Sequence, residues 1–134
     1  MELSDFVPEV KRALDLGLQE HLESTQAKLA RSNPKDTGRM ASSWFVNKGA
    51  PSGKERPADW APPQAKKVEV EPYTGLVEFE GDWYVSNNLP YAERVATDPV
   101  YAKGGAGGAD WYTRIVNQQA ADLSKAMRKH LRNV

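Results

Sequence analysis

A chain of 134 residues is the size of one domain, enough to bury about two thirds of the surface its unfolded form exposes. Eighteen Lys and Arg balance eighteen Asp and Glu, so no net field argues for a nucleic acid or membrane partner. Cysteine is absent, which removes disulfides and thiolate metal sites, and the low mean hydropathy of −0.67 implies either an extended polar loop or a core completed by partner subunits.

In chain order, Ser4 and Asp5 open a helical pattern, and Pro8 falls early enough to cost few ladder bonds. Phe6, Val10, Ala13, Leu14, Leu18, Leu22 and Leu29 then recur at the spacing of one buried stripe, and Asn33-Pro34 stops the helix. Ser43 to Lys48 alternates around Trp44 and Val46 as a strand. Residues 49–66 hold Pro51, Pro57, Pro62 and Pro63 among glycines and charges, which predicts a long projecting loop. Trp60 is the residue there with something to bury, either on a neighbour or back on its own domain.

Lys67 to Glu71 alternates Val68 and Val70 with charge. Leu76 to Phe79 and Trp83 to Val85 flank Glu80-Gly81-Asp82, which reads as a hairpin. Pro90 to Val95 suits a short helix or turn, and Gly104 to Gly108 a flexible connection. From about Tyr112 the stripe Ile115, Val116, Ala120, Leu123, Met127, Leu131 marks a second long helix. The expected class is α+β: one domain with a sheet of three to four antiparallel strands packed by N-terminal and C-terminal helices.

Charge is unevenly spread. Between Val68 and Asp98 the acids Glu69, Glu71, Glu78, Glu80, Asp82, Glu93 and Asp98 meet one base, Arg94, whereas Lys125, Arg128, Lys129 and Arg132 follow one another without an acid. These are either solvated faces and a helix C-terminus suited to cations, or two surfaces that meet across a subunit boundary.

Catalytic chemistry finds little support. Asp36-Thr37-Gly38 matches the triplet of homodimeric retroviral-type aspartic proteases, but Asn33-Pro34-Lys35 replaces the hydrophobic strand that would deliver it. Arg39 beside it would oppose proton sharing between carboxylates. The other reading is a turn, with Asp36 capping backbone N–H groups and Gly38 in a conformation closed to other residues. His21 and His130 lie without a second ligand at metal spacing, so no metal or cofactor is expected. Aromatic residues Trp83, Tyr84 and Tyr91 sit in the acidic segment, which disfavours phosphate recognition. No signal peptide, lipidation motif or membrane-spanning apolar run is read, and a soluble protein in a cytosol-like compartment is expected.

Two segments carry a family resemblance. Pro34-Lys35-Asp36-Thr37-Gly38-Arg39-Met40-Ala41-Ser42-Ser43-Trp44 and Asn87-Asn88-Leu89-Pro90-Tyr91-Ala92, in that order between two terminal helices, resemble the tailed-phage neck and tail-completion proteins. Val95-Ala96-Thr97-Asp98 departs from the acidic-glycine step usual after the second segment, and the 49–66 loop is unusually proline-rich. The resemblance implies a non-enzymatic structural protein of the virion's head–tail junction, made in the host cytoplasm. It implies a ring of copies around the DNA channel, six matching tail symmetry and twelve the portal. Head-completion or adaptor proteins and a tail terminator would be its neighbours, and DNA would pass without sequence-specific binding. An acidic surface facing the channel would let DNA slide by repulsion.

Within these segments Trp44 and Tyr91 are expected to anchor the core. Asn87 and Asn88 are expected to satisfy backbone groups where the strand turns into Pro90. Arg39 is a fork-shaped donor able to bridge a carboxylate such as Glu93, within or between subunits.

Overall fold

The computed structural model describes residues 3–34, 38–60, 68–102 and 108–134. Helix α1 spans Leu3–Ser32. Strand β1 (Trp44–Lys48) pairs antiparallel with β2 (Trp83–Asn87), Trp44 opposite Asn87 and Lys48 opposite Trp83. Helix α2 (Ala92–Thr97), a 3₁₀ turn (Pro99–Ala102), α3 (Trp111–Asn117) and α4 (Gln119–Leu131) complete the chain. The class is α+β, with the first helix and first strand close to where the periodicity puts them. The expected C-terminal helix is divided at Gln118, whose N–H bonds to Ile115 three residues back rather than four.

The sheet departs from expectation. Among the described residues it has two strands, and β2 pairs with β1 across a 34-residue excursion, 49–82, rather than with Leu76–Phe79. The reason lies in where backbone groups find partners. Asp15 on α1 accepts the Phe79 N–H, and the Glu78 carbonyl accepts the Trp83 indole N–H. Ser42 Oγ accepts the Glu69 N–H, Arg56 donates to the Glu69 carbonyl, and Gln26 donates to that of Glu71. Side chains thus satisfy groups that a ladder would otherwise claim, and 68–71 and 76–79 form no strand.

Residues 49–60 also correct the image of a projecting arm: they contain no helix or strand, yet fold back over β1. Residues 61–67, the remainder of the proline-rich stretch, lie outside the described residues, as do Gly104 to Gly107.

The core has two centres. Leu29, Ala30, Met40, Trp44, Leu89, Ala92, Trp111 and Ile115 form one, and Leu18, Leu22, Val46 and Val77 the other. Trp44 and Val46 alternate toward the helices, as period-2 geometry requires, whereas Phe45 is buried on the opposite face beneath Arg56. Trp111, only 1% exposed, meets Trp44 edge-on at 6.3 Å, and Tyr112 stacks on Trp44 at 6.2 Å. The α1 stripe outruns this core. Ala13, Leu18, Leu22 and Leu29 are buried, but Phe6 is 45% exposed.

Helices α1 and α4 run side by side and approach closely at Gly17, where an added Cβ would lie 2.7 Å from the Met127 Cα. Their seam is polar as well as apolar. Thr25 Oγ1 bonds to Gln119, Lys28 pairs with Asp122, and Glu20 receives both Lys129 and His130.

Candidate assembly surface

The two motif segments, 43 residues apart at their facing strand positions, are bonded to one another. Gly38 takes φ +85°, the left-handed conformation expected of it, and opens a turn closed by Ser42 N–H to the Gly38 carbonyl and Ser43 N–H to that of Met40. Asp36 and Thr37 lie outside the described residues. Asn87 Nδ2 donates to the Met40 carbonyl at 2.8 Å while its Oδ1 receives the Leu89 N–H, and Asn88 reaches the Gly53 carbonyl. Both asparagines therefore satisfy backbone groups in the manner expected.

Trp44 is a core anchor held at both ends. Its indole N–H donates to Asn33 Oδ1 at 3.0 Å, and its carbonyl accepts from Gln26 at 2.8 Å. Asn33 and Gln26 are buried polar residues whose partners lie far along the chain. In the sequence Asn33 reads only as part of the helix stop, and Gln26 draws no functional reading. A glutamine on the apolar side of α1 was the available signal.

Tyr91 is corrected: it is 40% exposed at the start of α2, and Leu89 and Ala92 on either side of exposed Pro90 are buried instead. Arg39 does meet a carboxylate, but within the chain it is Glu55, at 3.6 Å, rather than Glu93, which is exposed on α2; its Nε also donates to the Arg56 carbonyl at 2.8 Å.

Arg56 carries no local signal in the sequence yet makes the widest set of contacts around the motif. Its guanidinium lies 4.5 Å from the Trp60 ring centre and 5.7 Å from that of Phe45. It also donates to the carbonyls of Ser42 and Glu69. Ser43 Oγ accepts the Arg56 N–H and donates to the Arg39 carbonyl, which explains why two fully buried serines precede Trp44. Trp60 thus folds back on its own domain, and its indole N–H is buried without a hydrogen-bond partner among the described residues. Arg39→Ala is expected to cost about 1–2 kcal/mol, as a part-exposed charged hydrogen bond does. It should also speed proteolytic cleavage within 54–60; an unchanged cleavage rate contradicts this anchoring.

Two cavities run beside β2. One of about 500 Å³ lies between β2 and the α3–α4 face that carries Tyr112, Val116, Leu123 and Met127. The other, about 450 Å³, lies between β2 and α2 and includes Glu93 and Thr97. A third, about 410 Å³, lies over the opposite side of the α1–α4 seam and is lined by Lys28, Lys125, Lys129 and Arg132 with Glu20 and Asp122. Hydrogen bonds from Lys129, and then from His130, hold the Glu20 carboxyl below its ordinary range. The hydrogen bonds that Lys11 donates to Glu78, and then to Asp15, raise the pKa of its ammonium.

Burial lowers the pKa of His21, the Gln119 hydrogen bond and nearby Asp122 opposing it and Lys28 adding to it. A folded state that holds a neutral imidazole is fully stable above its ordinary value of 6.5 and loses stability as pH falls below that toward the lower folded value. Urea midpoints measured at several pH values from 8 down to mildly acid should therefore fall more steeply for the wild type than for His21→Gln. Parallel slopes contradict the assignment.

Among the described residues no group of three His, Asp or Glu is placed to hold a metal ion, and no helix is long and apolar enough to cross a membrane. Taken together, the two motif segments and Arg56 form a bonded scaffold. Neither family models, nor curated proteins, nor solved structures give a match to this chain.

Proposed function

We propose that this chain is a non-enzymatic structural component of a tailed phage or prophage, which joins head to tail or completes the upper end of the tail. It acts as one member of a ring around the DNA channel, of six or twelve copies, and contacts head-completion and tail-terminator proteins. DNA passes through without base-specific contact. The observation that carries the reading is the mutual bonding of the two resembling segments. Asn87 closes on Met40, and the strands that follow and precede them share one register. A motif pair used as a brace suits a protein whose task is to hold shape while its outer surfaces meet neighbours.

The surface supports the same reading. Glu80 and Asp82 are exposed beside β2, Lys125 and Arg132 line a separate cavity, and apolar Phe6, Val7 and Leu16 are exposed along α1. A closed ring needs one surface to meet a different surface of the next copy, and a molecule with unlike faces meets that need. Native mass spectrometry of the protein, alone and with its phage neck components, is the test. Closed species of six or twelve copies are expected. A lone chain in every mixture would point to a monomeric adaptor and sink the ring.

A further inference from the structure

The basic cavity over the α1–α4 seam contains more cation than the fold itself uses. Lys28 is paired with Asp122, and Lys129 with Glu20. Lys125 and Arg132 line the same cavity, and among the described residues neither has a carboxylate partner. On a different face of the molecule the turn Glu80-Gly81-Asp82 is in the reverse condition. All three residues are exposed, Gly81 takes φ +94° at the tip, and neither carboxylate has a side-chain partner among the described residues. A Cβ added at Gly81 would lie 3.3 Å from Lys48 Cε, but the Lys48 ammonium sits over the Trp83 ring.

We infer that the Glu80-Gly81-Asp82 turn of one copy docks into the Lys125–Arg132 cavity of the next. This rests on the ring reading and names its contact. Two free carboxylates on a narrow turn meet two free cations at the mouth of a cavity that is already polar. The match is one of sign as well as number. The two surfaces cannot satisfy each other within one chain. The turn borders the cavity holding Leu123 and Met127, whereas Lys125 and Arg132 border the one on another face of α4. A contact between unlike surfaces of identical chains is head-to-tail, the type that closes into rings. Glu20 and Asp122, which also line the cavity, are paired with cations of their own, which offsets their repulsion of the incoming acids.

The experiment is a charge swap read by native mass spectrometry and sedimentation, with circular dichroism confirming the fold of each variant. Lys125→Glu with Arg132→Glu should weaken association about tenfold or more, and so should Glu80→Lys with Asp82→Lys. Mixing the two variants should restore an alternating species, in which junctions of reversed charges alternate with junctions of unaltered ones. Association of the wild type should also weaken with added salt. Rings that form unchanged in both variants overturn the docking while leaving the ring reading intact. A wild type that never associates overturns both. If only the Lys125/Arg132 variant is affected, and it loses retention of duplex DNA, the cavity is a phosphate site and the inference fails.

Discussion

Trp44→Ala is expected to cost about 3–5 kcal/mol, as large aromatic truncations in well-packed cores do. Against a total stability of about 5–15 kcal/mol for an ordinary domain, that places the variant near unfolding at physiological temperature. Three losses combine. The ring leaves the edge of Trp111 and the face of Tyr112, a cavity opens between β1 and α3, and Asn33 Oδ1 is left buried without its donor. Trp44→Phe separates these contributions, since it keeps most of the packing and removes the indole N–H. Its cost should be the smaller one of an orphaned buried acceptor, about 1–3 kcal/mol. Urea denaturation followed by far-UV circular dichroism reads both. A Trp44→Ala variant within 1 kcal/mol of wild type, taken as a rough bound for surface substitutions, would contradict Trp44 as the centre of the core.

Gly17→Val is expected to force α4 away from α1. The new Cβ meets the Met127 Cα at 2.7 Å and its backbone nitrogen at 3.0 Å, so no side-chain rotation relieves the clash. Overpacking of this kind costs about 1–3 kcal/mol, and the γ-methyls of valine add to it. The displacement should also separate Lys28 from Asp122 and Glu20 from Lys129, since these pairs flank the crossing. Gly53→Ala is the matched control, because nothing lies within 4 Å of its added Cβ. Thermal midpoints should fall clearly for Gly17→Val and stay unchanged for Gly53→Ala. Equal midpoints would mean that the helices do not approach at Gly17.

The two cases also mark what was legible in the chain. The α1 stripe announced a long helix because a 3.6-residue period survives without tertiary information, and Trp44 followed a clear turn and began an alternating run. The partner of that strand was not legible. Strand pairing depends on which segment's backbone remains unclaimed, and Asp15, Ser42, Arg56 and Gln26 claim groups in 69–79 from distant positions. Alternation at Val68 and Val70 was real as a burial pattern, since both pack against the core, but it did not imply a ladder.

Among the motif residues, backbone-directed ones were readable and side-chain destinations were not. Gly38 and Asn87 announce themselves by the local geometry they permit. Arg39 could have met any carboxylate within reach, and only the folding back of 49–60 brings Glu55 rather than Glu93 to it. Arg56 had no local signal, because its value comes from Phe45, Trp60, Ser42 and Glu69 converging around it. Tyr91 misled for a related reason: in a short helix after Pro90 the inward positions fall on Leu89 and Ala92.

The most direct test of the proposed neck role is electron microscopy of virions induced from cells that encode this chain, with the protein carrying a compact tag. A closed ring of tagged density at the head–tail junction, six-fold or twelve-fold about the channel, is the predicted result. Complete virions that lack the protein, or tagged density only away from the neck, would contradict it.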